Sequence, residues 1–91
     1  MNIDIGTKVR SFDFADGPEG RSLAGEHACY VEGVVTGFER LEGCDRYEIK
    51  VTRDIFGGKE ESRRVGATIY PPVNGTPTWT GRVTDGVEVA A

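Results

Sequence analysis

The sequence predicts an all-β domain, folded as a small, strongly bent antiparallel barrel of five strands. Three observations predict it. Tyr47, Ile49 and Val51 alternate with Glu48, Lys50 and Thr52, the period of a strand with one face in a core and the other in water. Gly33 interrupts an otherwise strand-like run; a glycine there marks a bulge, a bend or a close backbone contact, and a small barrel needs such bends to close. No stretch of ten residues carries a helical period.

The elements follow in order. Thr7 to Phe14 has the β-branched and aromatic content of a first strand. Asp16 to Gly20 is dense turn punctuation, and the polar, Gly-rich run to His27 reads as a long loop with room for one helical turn at Ser22–Glu26. A second strand is expected over Cys29–Phe38, a loop over Glu39–Cys44 and a third strand over Arg46–Ile55. Gly57-Gly58 signals a hairpin turn. The polar segment Lys59–Arg64 leads into a fourth strand through Val65, Ala67 and Ile69, ended by Pro71-Pro72 because proline donates nothing to a ladder. Val73–Gly81 is a turn-rich loop, Asp85-Gly86 a tight turn, and Val87–Val89 a short last strand.

Residues 1–91 make a single domain with a modest core. Net charge is −4, which opposes general attraction to phosphate. Met1 to Asp4 start no basic-then-apolar leader, and no apolar run is long enough to span a membrane. The expectation is a cytoplasmic protein with Cys29 and Cys44 as free thiols.

Motifs for chemistry are sparse. His27, Cys29 and Cys44 are the one metal-like set, but zinc sites use four ligands in paired spacings, so no metal and no cofactor are expected. A single histidine offers little for nucleophilic catalysis, and an enzyme is not expected. Gly57-Gly58-Lys59 lacks the rest of a phosphate loop. Asn74-Gly75-Thr76 has the glycosylation pattern and reads better as a turn. The more informative set is Tyr70, Pro71, Pro72, Asn74 and Trp79, gathered around one loop, with arginines at 40, 46, 53, 63, 64 and 82. Flat rings and arginines suit stacked bases or a protein partner, while a lone tryptophan also suits a core.

Gly33 is followed five positions later by Phe38, then by Glu39, and Asp45 precedes the strand Tyr47-Glu48-Ile49-Lys50-Val51. Val65-Gly66-Ala67-Thr68-Ile69 is a second glycine-bearing apolar stretch. On these residues the chain resembles the Sm and Sm-like RNA-binding barrels. It departs from them where Asp45 stands for their asparagine after a longer loop, and where Pro71-Pro72 replaces their Arg-Gly. The segment Ala15–Ala28 resembles the long first loop of SH3-type barrels. VEGVV, RYEI, YPPVNGTPTW and TDGVE resemble stretches of small proteins from marine cyanophages and ocean metagenomes.

The resemblance implies an SH3/Sm-like barrel that forms a ring-like homo-oligomer by pairing strand edges between subunits. It implies a non-enzymatic module binding RNA or single-stranded DNA, in the cytoplasm of a phage-infected host. Arg40, Arg46, Tyr70, Asn74 and Trp79 are the candidate nucleic-acid-binding residues, because the loops that hold them lie on one side of Sm-type barrels. The alternative is a phage structural or protein–protein interaction module without nucleic-acid binding, touching its partner through Tyr70–Trp79.

Overall fold

A computed structural model describes residues 3–13, 28–77, 83–84 and 86–90. The all-β expectation holds: the described residues contain strands and turns and no helix. The strands are β1 (Lys8–Phe12), β2 (Cys29–Leu41), β3 (Cys44–Phe56), β4 (Lys59–Glu61), β5 (Thr68–Ile69), β6 (Thr76–Pro77), β7 (Val83–Thr84) and β8 (Val87–Val89). Six form one antiparallel sheet in the order β4-β3-β2-β1-β8, with β5 also on β3; β6 and β7 pair separately. The expected count of five is therefore corrected to six. The path is open, with β4 and β8 at its ends among the described residues.

The β2–β3 hairpin is the spine. The expected loop over Glu39–Cys44 shrinks to the two residues Glu42 and Gly43, and the ladder runs on to Leu41↔Cys44. Both turn residues have positive φ, 54° and 78°, the turn geometry whose twist matches paired strands. Gly57 and Gly58 make the equivalent turn into β4, also at positive φ. The fourth strand was misplaced by the sequence pattern. Lys59–Glu61 forms it despite its polarity, because it pairs with Asp54–Phe56 beyond a two-residue turn. Val65 lies in a turn, and only Thr68–Ile69 pairs with β3. The loop expected over Val73–Gly81 contains β6.

Two bulges bend the ladder. One lies between Glu32 and Gly33, where Thr52 is the extra residue on β3; the other lies between Val35 and Gly37, where Thr36 is extra on β2. Each extra threonine turns its hydroxyl to the opposite strand: Thr52 donates to the Glu32 carbonyl at 3.3 Å, and Thr36 to Glu48, with the carboxylate at 2.9 Å and the carbonyl at 3.2 Å. A bulge strengthens local twist and kinks its strand, so the glycine-marked irregularity expected at Gly33 is present as a bulge whose extra residue lies on β3.

The sheet buries apolar side chains on both faces. Val9, Val35, Tyr47 and Ile49 form one cluster, covered by Ile3, Ile69, Val73 and Val87. Phe12, Tyr30, Ala28 and Ile55 form the other, with the Phe12 and Tyr30 rings 5.8 Å apart. The side chains alternate as period two requires: Phe12, Tyr30 and Ile55 are in register across three strands.

Gly33 is the tightest point described. A Cβ there would meet the Lys50 carbonyl oxygen at 2.3 Å and Ile49 Cγ2 at 2.7 Å. The first contact is backbone and cannot swing aside. Gly33→Ala is expected to cost about 2–3 kcal/mol, the upper part of the range for overpacking. Gly43→Ala meets no atom within 4 Å and suffers only its positive φ, about 1 kcal/mol. Urea unfolding of both variants checks the order; equal losses would show that the crossing at Gly33 is not the tight constraint.

Candidate interaction site

Hairpin geometry decides which groups reach the surface at the outer end of β2 and β3. Leu41 and Cys44 flank a two-residue turn, so they exchange backbone hydrogen bonds with each other. Alternation then turns the N–H and C=O of Phe38 and Arg40 away from β3. Nearer the sheet centre β2 is covered: Val35 N–H donates to the Thr7 carbonyl at 3.0 Å, and its carbonyl accepts from Gly6 at 2.7 Å. β1 pairs with β2 only from Tyr30 to Val34. From Gly37 to Leu41 the outer edge of β2 has no strand partner among the described residues.

Large apolar side chains mark this edge. Phe38 is 52% exposed and Leu41 40%. The Phe38 ring leans on Tyr47, centroids 5.7 Å apart. Beside them, a groove of about 500 Å³ opens between the hairpin end and the Pro72–Thr76 turn. The turn is held to β3 by Val73 N–H on the Asp45 carbonyl at 2.9 Å and by the bridge between Arg46 and Pro72.

Arg40, Arg46 and Asn74 come together in that groove. Tyr70 does not join them; it lines a separate cavity of about 260 Å³ with Arg46, Arg64 and Ser11. Trp79 lies outside the described residues, as do His27 and Arg82. The gathered arginines are already engaged. Arg40 pairs with Asp45 at 2.8 Å and also donates to the Gly43 carbonyl at 3.3 Å. Arg46 donates to the Tyr70 carbonyl at 3.0 Å and stands 3.9 Å from Glu42, while its buried Nε finds no acceptor.

Other arginines tie strands together. Arg64 grips Asp13 through two bonds of 2.6 and 2.9 Å, and Asp54 through bonds of 2.6 and 3.0 Å. Its backbone N–H also donates to Asp54. The Arg64 hydrogen bonds hold the Asp54 carboxyl below the usual carboxylate range against the opposing effect of burial. Those to Asp13, then Asp54, raise the guanidinium. On the other face, Arg10 reaches Glu32 at 2.6 Å and lies 4.4 Å over the Tyr30 ring. Arg53 stands 3.5 Å from Glu32 and pairs with Glu60. Glu88 sits opposite Arg10 in the register. Charges thus alternate across β8, β1, β2, β3 and β4. The Arg10 hydrogen bond lowers the Glu32 pKa, again against desolvation.

Cys29 is buried and its sulfur accepts from Gly57 N–H at 3.4 Å. Cys44 is half-buried. The two thiols sit at opposite ends of the β2–β3 ladder, so they cannot share one ion. No family model, curated protein or solved structure matches the chain.

Sequence reasoning missed the open edge and its residues Phe38, Glu39 and Leu41. The signal was Leu41 itself, an apolar residue beside Glu42-Gly43, which marks a strand running up to a two-residue turn.

The carboxylates give a pH dependence of known sign. Asp54 and Glu32 have depressed folded-state pKa values, so their stabilisation is complete above the unfolded value of about 4 and is lost as pH falls through the depressed values. Asp54→Asn is expected to lower stability at pH 7 by about 1–3 kcal/mol and to flatten the fall in Tm below about pH 4. Thermal melts from pH 7 to pH 2 check it; an unchanged acid limb would remove Asp54 from the acid response.

Proposed function

We propose that the chain is a non-catalytic protein-interaction module on a bent SH3-like sheet, taking an extended segment of a partner as an added strand along Gly37–Leu41. The observation that carries this reading is the outer edge of β2, which has no strand partner among the described residues and is flanked by exposed Phe38 and Leu41. An open edge is a template for strand addition: backbone bonds supply affinity and alternate side chains supply selectivity.

The rival reading is a ring-forming binder of RNA or single-stranded DNA using Arg40, Arg46, Tyr70, Asn74 and Trp79. Charge weighs against it. A phosphate approaching Arg40 competes with Asp45, and one approaching Arg46 meets Glu42 nearby, on a chain of net charge −4. Phosphate binding draws its affinity from unneutralised cations. Tyr70 also opens onto a different cavity from Arg40 and Asn74, and Arg46, the one arginine of the set that lines both, is already bonded to the Tyr70 carbonyl.

Selection of a random peptide library against the whole protein, followed by amide chemical-shift mapping, tests the reading. Selected peptides are expected to shift the amides of Gly37–Leu41. Peptides mapping only elsewhere, or no selected peptide, would overturn it. So would salt-dependent binding of a labelled short single strand that Arg46→Ala weakens; that result establishes the rival.

A further inference from the structure

Resting on the strand-addition reading, we propose that the edge selects an antiparallel peptide with a basic residue facing Glu39 and apolar residues facing Phe38 and Leu41. Phe38 and Arg40 each turn one N–H and one C=O outward, so an antiparallel strand centred on Glu39 can form four backbone bonds with them. The incoming residue opposite Glu39 then sits in a non-hydrogen-bonded pair, where side chains are closest.

The charges on the two faces of this edge differ. On one, Phe38 stands beside Arg40, whose charge is met by Asp45 at 2.8 Å. On the other, Glu39 faces Arg46 across the hairpin, but Arg46 is turned to the Tyr70 carbonyl and toward Glu42. Glu39 has no ion pair among the described residues. An opposite charge directly across an antiparallel pair stabilises it, and a like charge opposes it. Leu41 shares the Glu39 face and Phe38 lies on the other, so apolar partners belong two residues before the basic residue and one after it.

In the four-bond register centred on Glu39, a second copy is a poor occupant. Two β2 edges meeting about a two-fold axis at Glu39 place the two Glu39 carboxylates directly opposite each other. Centring at Arg40 opposes two guanidiniums instead. A basic peptide removes this conflict, and the acidic surface draws it in from a distance.

The test uses three fluorescein-labelled peptides with blocked ends and the cores Val-Thr-Lys-Val-Thr, Val-Thr-Glu-Val-Thr and Val-Lys-Thr-Val-Thr. The third keeps the charge of the first but presents it to the wrong face. Anisotropy titration of the wild type is expected to favour the first peptide over each of the others by about fivefold. Glu39→Lys, a fully surface change, is expected to reverse the preference between the first two. Equal affinities, or a preference unchanged in Glu39→Lys, overturn the proposed selectivity. In that case strand addition itself survives if the Phe38 and Arg40 amides still shift on titration. If those amides respond to none of the peptides, and no library-selected peptide moves them, both readings fall together.

Discussion

The close crossing of β3 over Gly33 is the constraint on which the rest depends. It lets two strands of 13 residues each stay paired while they bend. The bulge beside it shifts the phase of β3, so Ile49 and Val51 face the same core as Val9 and Val35, while Ile55 turns with Tyr30 to the other face. Without the bulge, one end of the spine would present the wrong face to its cluster. The two extra threonines hold this arrangement through their hydroxyl bonds to the opposite strand. The other elements of the sheet build outward from the spine: β1 on β2, β4 and β5 on β3, and β8 in turn on β1.

A short chain with a modest core needs additional ties, and here the arginines supply them. Arg64 joins the end of β1 to β3 and to the 62–67 turn through two carboxylates. Arg10, Glu32, Arg53 and Glu60 stitch β1 to β4 across the opposite face. The Asp54 side chain is 3% exposed and Glu32 7%, while their arginine partners Arg64, Arg10 and Arg53 keep 32%, 30% and 44% exposure, so it is the two carboxylates that are withdrawn from water. Removing one partner leaves a buried charge short of its bonds, which is far more costly than losing a surface pair. Among the described arginines, Arg10, Arg53 and Arg64 thus act as ties between strands through a buried carboxylate.

This is why the sequence disclosed the fold more readily than the site. Alternation at Tyr47–Thr52, Gly33 and Gly57-Gly58 each express a local rule, and each is found where it was read. β4 escaped because Lys59-Glu60-Glu61 has the composition of a solvated turn; only its register beyond Gly58 makes it a strand. Val65 misled in the opposite direction, since an apolar residue can occupy a turn when Arg64 beside it is anchored. Arg40, Arg46 and Asn74 line one groove, because the turn after Pro72 folds back on β3. Tyr70 lines the neighbouring cavity, away from Arg40 and Asn74, with Arg46 between the two and bonded to the Tyr70 carbonyl. Pairing of a charge is a property of the fold, and no spacing in the chain announced that Asp45 would meet Arg40.

The open edge follows from a mismatch of lengths. β1 has five residues and reaches only to Val34 on β2, while Gly6 and Thr7 extend the cover by one residue, to Val35. The second bulge, at Thr36, then turns β2 onward past its neighbour. Five residues remain, continuously paired with β3 on one side and, among the described residues, without a strand on the other. Edges of this kind are commonly guarded by charge, and Glu39 and Arg40 fit that role against indiscriminate pairing. A guard alone does not account for Phe38 and Leu41, which add exposed apolar area where a purely protective edge would be polar. Glu39 and Arg40 thus set charge against indiscriminate pairing on the same edge where Phe38 and Leu41 offer apolar area that an added strand would cover.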